Sequence, residues 1–199
     1  IRMPLFRLLL FSFIALLSFP SKAQKSIQLR YVEELSFTDL NIFFPKEHHP
    51  EFGGFSGMEY DSIARRWYLI TDGRPPQRTS YLHEFKTTLS GFPDWLTTPT
   101  LSTFSTLESA ESLRLSANRK QWIIAAEGDD EDKLATGDIY LANRVSNLIE
   151  ANHSIITKYP TNRGLEAIAI DQNNTIWTMS EWPSFEDQDF IRVRGYNLD

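Results

Sequence analysis

The chain has 199 residues, 41% hydrophobic and 13% aromatic, with 20 Lys and Arg against 26 Asp and Glu and a formal net charge of -6. That size suits one domain or part of a larger one, and the acidic balance argues against non-specific nucleic-acid binding, which neutralises phosphates with a basic excess. The absence of cysteine excludes disulfide frameworks, thiol nucleophiles, zinc-thiolate sites and lipoprotein anchoring together.

The N-terminus reads as a secretory signal peptide over residues 1–23. Arg2 and Arg7 precede an apolar run from Leu8 to Phe19 broken by Ser12 and Ser18, and Ser21-Lys22-Ala23 supplies the small-x-small cleavage signal. The run is too short to cross a bilayer, which takes about 20 residues, so no stable membrane span is expected after cleavage. The mature protein, residues 24–199, is therefore expected to be exported, to the periplasm or the extracellular space. Its loss of Arg2, Arg7 and Lys22 makes it more acidic still. Ile1 precedes Met3, which we take as the start, and the sequence is read as a piece of a longer one.

Three segments of the mature region repeat: Phe55 to Asp72, Ala110 to Glu127 and Leu165 to Glu181. Each is an apolar strand, a polar turn such as Gln172-Asn173-Asn174, and a second strand rich in Trp and Ile that ends at an acid. Trp67, Trp122 and Trp177 are each 55 residues apart. This pattern predicts three β-hairpins. Further strands are predicted at Tyr81 to Lys86, Asp138 to Ala142 and Ile191 to Leu198. Weak helical periodicity and the lack of strand-helix alternation argue against a Rossmann or βα-barrel fold. A period near 55 with about four short strands is that of β-propeller blades, whereas a β-sandwich does not usually repeat at constant spacing. The expected fold is all-β, a propeller of four-stranded blades with about three present. Propellers close with about 4 to 8 blades, so the expectation is an N-terminal fragment incomplete at its C-terminus.

With uniform antiparallel pairing, the three turns place Ser56 opposite Asp72, Glu111 opposite Glu127 and Glu166 opposite Glu181. Like charges across a ladder repel unless they are solvated, share a proton or meet a cation. Innermost strands of neighbouring blades converge on one channel mouth, so Asp72, Glu111, Glu127, Glu166 and Glu181 are expected to form a rim of hard oxygen ligands. Such a rim suits Ca²⁺ or Mg²⁺ rather than zinc or copper. The alternative is that each acid caps a strand or pairs with an arginine to lock blades together. Arg74, Arg163, Arg192 and Arg194 lie nearby in sequence, and a guanidinium matches phosphate or carboxylate with two parallel hydrogen bonds.

Other candidates are weaker. Ser56 in Gly53-Gly-Phe-Ser-Gly57 lacks the glycine at 58 that a nucleophile elbow needs; that position is Met58. The acidic runs at Glu127 to Asp132 and at Glu186, Asp187 and Asp189 lack EF-hand spacing and read as solvated loops. No H-E-x-x-H motif occurs, and His48, His49, His83 and His153 read as surface or loop residues.

Taken together, Phe52-Gly-Gly-Phe-Ser-Gly-Met-Glu-Tyr-Asp61, Trp67-Tyr-Leu-Ile-Thr-Asp-Gly-Arg74, the Glu111 to Glu127 segment, Asn162-Arg-Gly-Leu-Glu-Ala-Ile-Ala-Ile170, Ile176-Trp-Thr-Met-Ser-Glu181 and Arg192-Val-Arg-Gly-Tyr-Asn-Leu198 resemble the phytase-like family, also described as the esterase-like activity of phytase domain. The resemblance runs from about residue 30 to the end. It implies an exported β-propeller protein that hydrolyses phosphate esters such as phytate, with calcium as cofactor and a small anionic substrate as partner. On that reading Glu111, Glu127, Glu166 and Glu181 are ligands or a catalytic base, Asp72, Glu127 and Glu181 hold the metal, and Arg74 and Arg163 contact the phosphate. Two other readings stay open: a non-catalytic propeller binding module, and a calcium-dependent lactonase or carboxyl esterase.

Overall fold

In the computed structural model of the protein, the described residues are 54–73, 79–88, 91, 94, 99–104, 106–127, 134–160, 163–187 and 189–197. The proposed signal peptide, His48, His49, Arg74 and the acidic run after Glu127 lie outside them. The described residues form eleven strands and no helix. Strands β1 (Phe55–Asp61), β2 (Arg66–Thr71), β3 (Tyr81–Lys86) and β4 (Thr100–Thr103) make the first antiparallel sheet in chain order. The second contains β5 (Ala110–Leu115), β6 (Gln121–Ala126), β7 (Leu134–Asn143) and β8 (Ile149–Pro160), and the third β9 (Leu165–Ile170), β10 (Ile176–Ser180) and β11 (Val193–Tyr196). The repeat thus gives three meandering sheets, two of four strands and one of three.

Each predicted turn forms where a short polar side chain folds back on its own backbone. Asp61 accepts hydrogen bonds from the Ile63 and Ala64 N–H groups, Ser116 from Gln121, and Asp171 from Asn173 and Thr175. These three residues are 55 apart, and each turn also contains a residue of positive φ: Arg65, Arg119 and Asn174. Such self-capping is the reason Asp, Asn and Ser favour turns.

Pairing across the hairpins is not uniform, which corrects the expected register. A β-bulge interrupts each first strand, between Phe55 and Gly57, between Ala110 and Ser112, and opposite Met179 and Ser180 between Leu165 and Ala167. Ser56, Glu111 and Glu166 are the bulged residues, so none faces the acid expected opposite it. Instead, the N–H groups of Asp72, Glu127 and Glu181 donate to the carbonyls of Gly54, Ser109 and Gly164, each at 3.1 Å. The uniform ladder had no allowance for an extra residue on one strand.

The sheets pack in series through their first strands. β1 lies against β5, and β5 against β9. Tyr68, Ile70, Leu82, Phe104, Leu107, Leu113, Trp122 and Ile124 fill the space between the first and second sheets. Between the second and third lie Ile123, Ala125, Ile139, Ile155, Leu165, Ile168 and Ile176. Consecutive residues of β6 therefore serve opposite cores, as the two-residue period of a strand requires, and its run of five buried apolar residues follows. Close approach is enforced at Gly57, where an added Cβ would sit 2.9 Å from the Cα of Ser112. Ser56 bridges the same two sheets by donating to the Ala110 carbonyl at 2.5 Å.

The even tryptophan spacing does not survive in the third sheet. Its hairpin loop is one residue shorter, so Ile176 rather than Trp177 is the structural counterpart of Trp122. Trp122 is 1% exposed in the core, whereas Trp177 points to the other face and is 40% exposed.

Candidate functional site

The bulges and the strand ends after β2, β6 and β10 lie at one end of the sheets. There the second and third sheets bring acids together because nothing separates their backbones. An added Cβ at Gly164 would lie 2.5 Å from the Glu127 carbonyl oxygen and 2.9 Å from its Cα. Only glycine lets the entry to β9 press against the end of β6. The bulge then re-aims Glu166 out of the ladder, a use of bulges common beside functional sites.

As a result, Glu127, Glu166 and Glu181 each place one carboxylate oxygen within 4.8 Å of the others. Glu127 is 5% exposed, Glu166 is half-buried and Glu181 is exposed. Desolvation pushes the Glu166 pKa above the ordinary carboxyl value, and the charge of Glu181 adds to the rise. A hydrogen bond with Glu127 and the positive charge of Arg163 pull the other way without cancelling it. Two carboxyl groups hydrogen-bond to each other only when one carries a proton, so this pair is suited to share one. On the outer side Arg163 forms an ion pair with Glu181, and its guanidinium carbon lies 5.5 Å from the centre of the Trp182 ring. The donor set fits a hard cation: oxygens about 2.3–2.6 Å from calcium stand up to about 5 Å apart.

A family model described as Phytase-like, esterase-like activity of phytase, matches residues 50–199. The chain belongs to the Phytase-like family. No curated protein matches it.

Not every acid expected at the rim of this Phytase-like chain joins the cluster. Asp72 and Glu111 hold the backbone positions that Glu127 and Glu166 hold one sheet later, but they are not members of the three-carboxylate group. Arg74 lies outside the described residues. Arg192 and Arg194 are committed elsewhere: they bind Asp187, at 2.5 and 2.8 Å. Asp187 therefore anchors a loop, where the sequence reading had a solvated acid. Ser56 is a bridge between sheets. His83 is 1% exposed on β3, against the surface position expected for it, with its ring edge-on to Phe55 at 5.1 Å, while His153 is exposed.

Sequence reasoning also passed over the opposite end of the sheets. There Asp61, with a fully buried side chain, takes ion pairs from Arg119 and from Arg144, the latter at 2.5 Å. Arg144 also reaches the Tyr68 hydroxyl at 3.2 Å and lies 5.6–5.7 Å from the ring centres of Tyr68 and Trp122. Here an acid does lock sheets together, as the alternative reading of the rim acids supposed. The available signal was the 55-residue spacing of Asp61, Ser116 and Asp171, the same as that of the bulges.

Proposed function

We propose that this Phytase-like protein is an exported β-propeller hydrolase of phosphate esters, with its reaction centre at Glu127, Glu166 and Glu181. The three serially packed meander sheets support the reading as blades, and the apolar N-terminal run supports export. The observation that carries the site is the convergence of three carboxylates around one largely buried member. Removing carboxylates from water and crowding them together costs stability, and the cost is relieved by a shared proton or a bound cation.

In this reading the oxygen set would hold calcium, which when bound supplies Lewis-acid polarisation of a phosphoryl oxygen and a more acidic water. As water bonds to phosphorus and the bond from phosphorus to the ester oxygen breaks, Glu166, whose carboxyl holds its proton more tightly than usual, delivers that proton to the departing oxygen. Glu127, fixed by the Ser109 carbonyl at its N–H, orients Glu166 through their shared hydrogen bond. Arg163 balances the charge of an incoming phosphate by turning from Glu181 to its oxygens. Asp72 and Glu111 extend the carboxylate row one repeat earlier, where they contribute negative field at the channel mouth, and Arg74 would add a second phosphate contact.

Assays of the mature protein on p-nitrophenyl phosphate, phytate and a carboxyl ester, each with calcium and with chelator, test the proposal. Calcium-dependent release of phosphate is the expected result. Turnover of the carboxyl ester alone moves the reading to an esterase or lactonase. A folded protein inactive on all three is a binding module.

A further inference from the structure

The loop after β10 holds several apolar side chains in water. Trp182 is 53% exposed, Phe185 51% and Phe190 66%. The loop is nevertheless tied down. Ser180 donates to the Trp182 carbonyl at 2.7 Å, Ser184 donates to Asp187 at 3.0 Å, and Arg192 and Arg194 clamp the same carboxylate. Arg194 also donates to the Tyr159 hydroxyl at 3.0 Å, which fixes the loop to the second sheet. A half-exposed indole on a fixed loop is costly to hydrate and already ordered, the combination that makes aromatic residues effective in recognition.

Trp182 follows Glu181 directly in the chain, and Arg163 touches both, through an ion pair with one and a cation–π contact with the other. A ligand whose anionic group meets Arg163 can therefore lay its organic part beside the indole. We propose that Trp182 is a specificity-determining residue that stacks on the organic group, so that the site prefers esters carrying a flat or ring-shaped group over small aliphatic ones. The inference rests on the proposed anionic substrate, but not on turnover.

Its test is therefore a binding experiment. Calorimetry in calcium would measure phenylphosphonate and methylphosphonate, two non-hydrolysable probes, on the wild-type protein, Trp182→Ala and Trp182→Phe. Stacking predicts that phenylphosphonate binds wild type at least about fivefold tighter than methylphosphonate, the factor equivalent to roughly one aromatic contact. Trp182→Ala abolishes most of that ratio, Trp182→Phe keeps most of it, and methylphosphonate affinity stays within about twofold throughout. A ratio unchanged in Trp182→Ala, an equal loss for both probes, or no preference in wild type overturns the inference. Separately, wild-type protein that binds both probes yet hydrolyses no phosphate ester contradicts the proposed reaction and leaves the stacking result standing.

Discussion

The two ends of the same sheets treat acidic residues in opposite ways. At one end Asp61 is wholly buried, but two guanidiniums and two backbone N–H groups satisfy it. At the other end three glutamates converge, and among the described residues Arg163 forms an ion pair with the outermost of them, Glu181. Burial alone does not separate structure from function here, since Asp61 and Glu127 are both buried. On the proposed reading, the clustering of like charges does. A charge met on all sides fixes geometry, whereas on the proposed reading the three clustered carboxylates take up a proton or a cation.

The contrast breaks most sharply at Asp61. Asp61→Asn leaves two partly buried guanidiniums facing a neutral group, and about 3–5 kcal/mol of stability is expected to vanish, as measured by chemical denaturation. A loss below about 1 kcal/mol would mean that the ends do not differ in kind. Glu166→Gln is expected to do the reverse without calcium. Stability at neutral pH holds or rises by about 1 kcal/mol, or a few degrees of melting temperature, because a crowded charge is gone. Calcium-dependent hydrolysis falls by about a hundredfold or more in the same variant, as for loss of a general acid-base group.

The pH dependence sharpens the same point. The folded-state pKa of Glu166 is raised, so the folded protein holds this proton more tightly than the unfolded chain. Its contribution is most favourable below the ordinary carboxyl pKa and declines as pH rises through the raised value. Wild-type stability minus that of Glu166→Gln, measured without calcium from about pH 4 to 8, is therefore expected to fall with rising pH. A difference that rises would contradict the desolvation of Glu166. The smallest effect is expected at the Arg66–Glu84 pair, where both side chains are 34% exposed and the separation is 3.3 Å. Arg66→Ala should change stability by less than about 1 kcal/mol, as for surface ion pairs generally.

The three sheets and their turns were legible because side-chain period and turn chemistry are local properties. The bulges were not, since a ladder can absorb an extra residue without any change in the apolar pattern. The small residues Gly54, Ser109 and Gly164 at the hairpin entries were the available clue. Trp177 shows the complementary error: its spacing matched, but a loop shorter by one residue turned it to the other face. The convergence of Glu127 with Glu166 and Glu181 depended on a contact between separate sheets, at Gly164, that hairpin arithmetic does not contain. The sequence singled out these acids but had no means to separate them from Asp72 and Glu111.

A calorimetric titration of the mature protein with calcium, beside Glu127→Gln and Glu166→Gln, tests most directly whether the crowded end holds a cation. One bound calcium per chain in wild type, weakened at least about tenfold in both variants, is the predicted result. Indistinguishable titrations of the three proteins would contradict it.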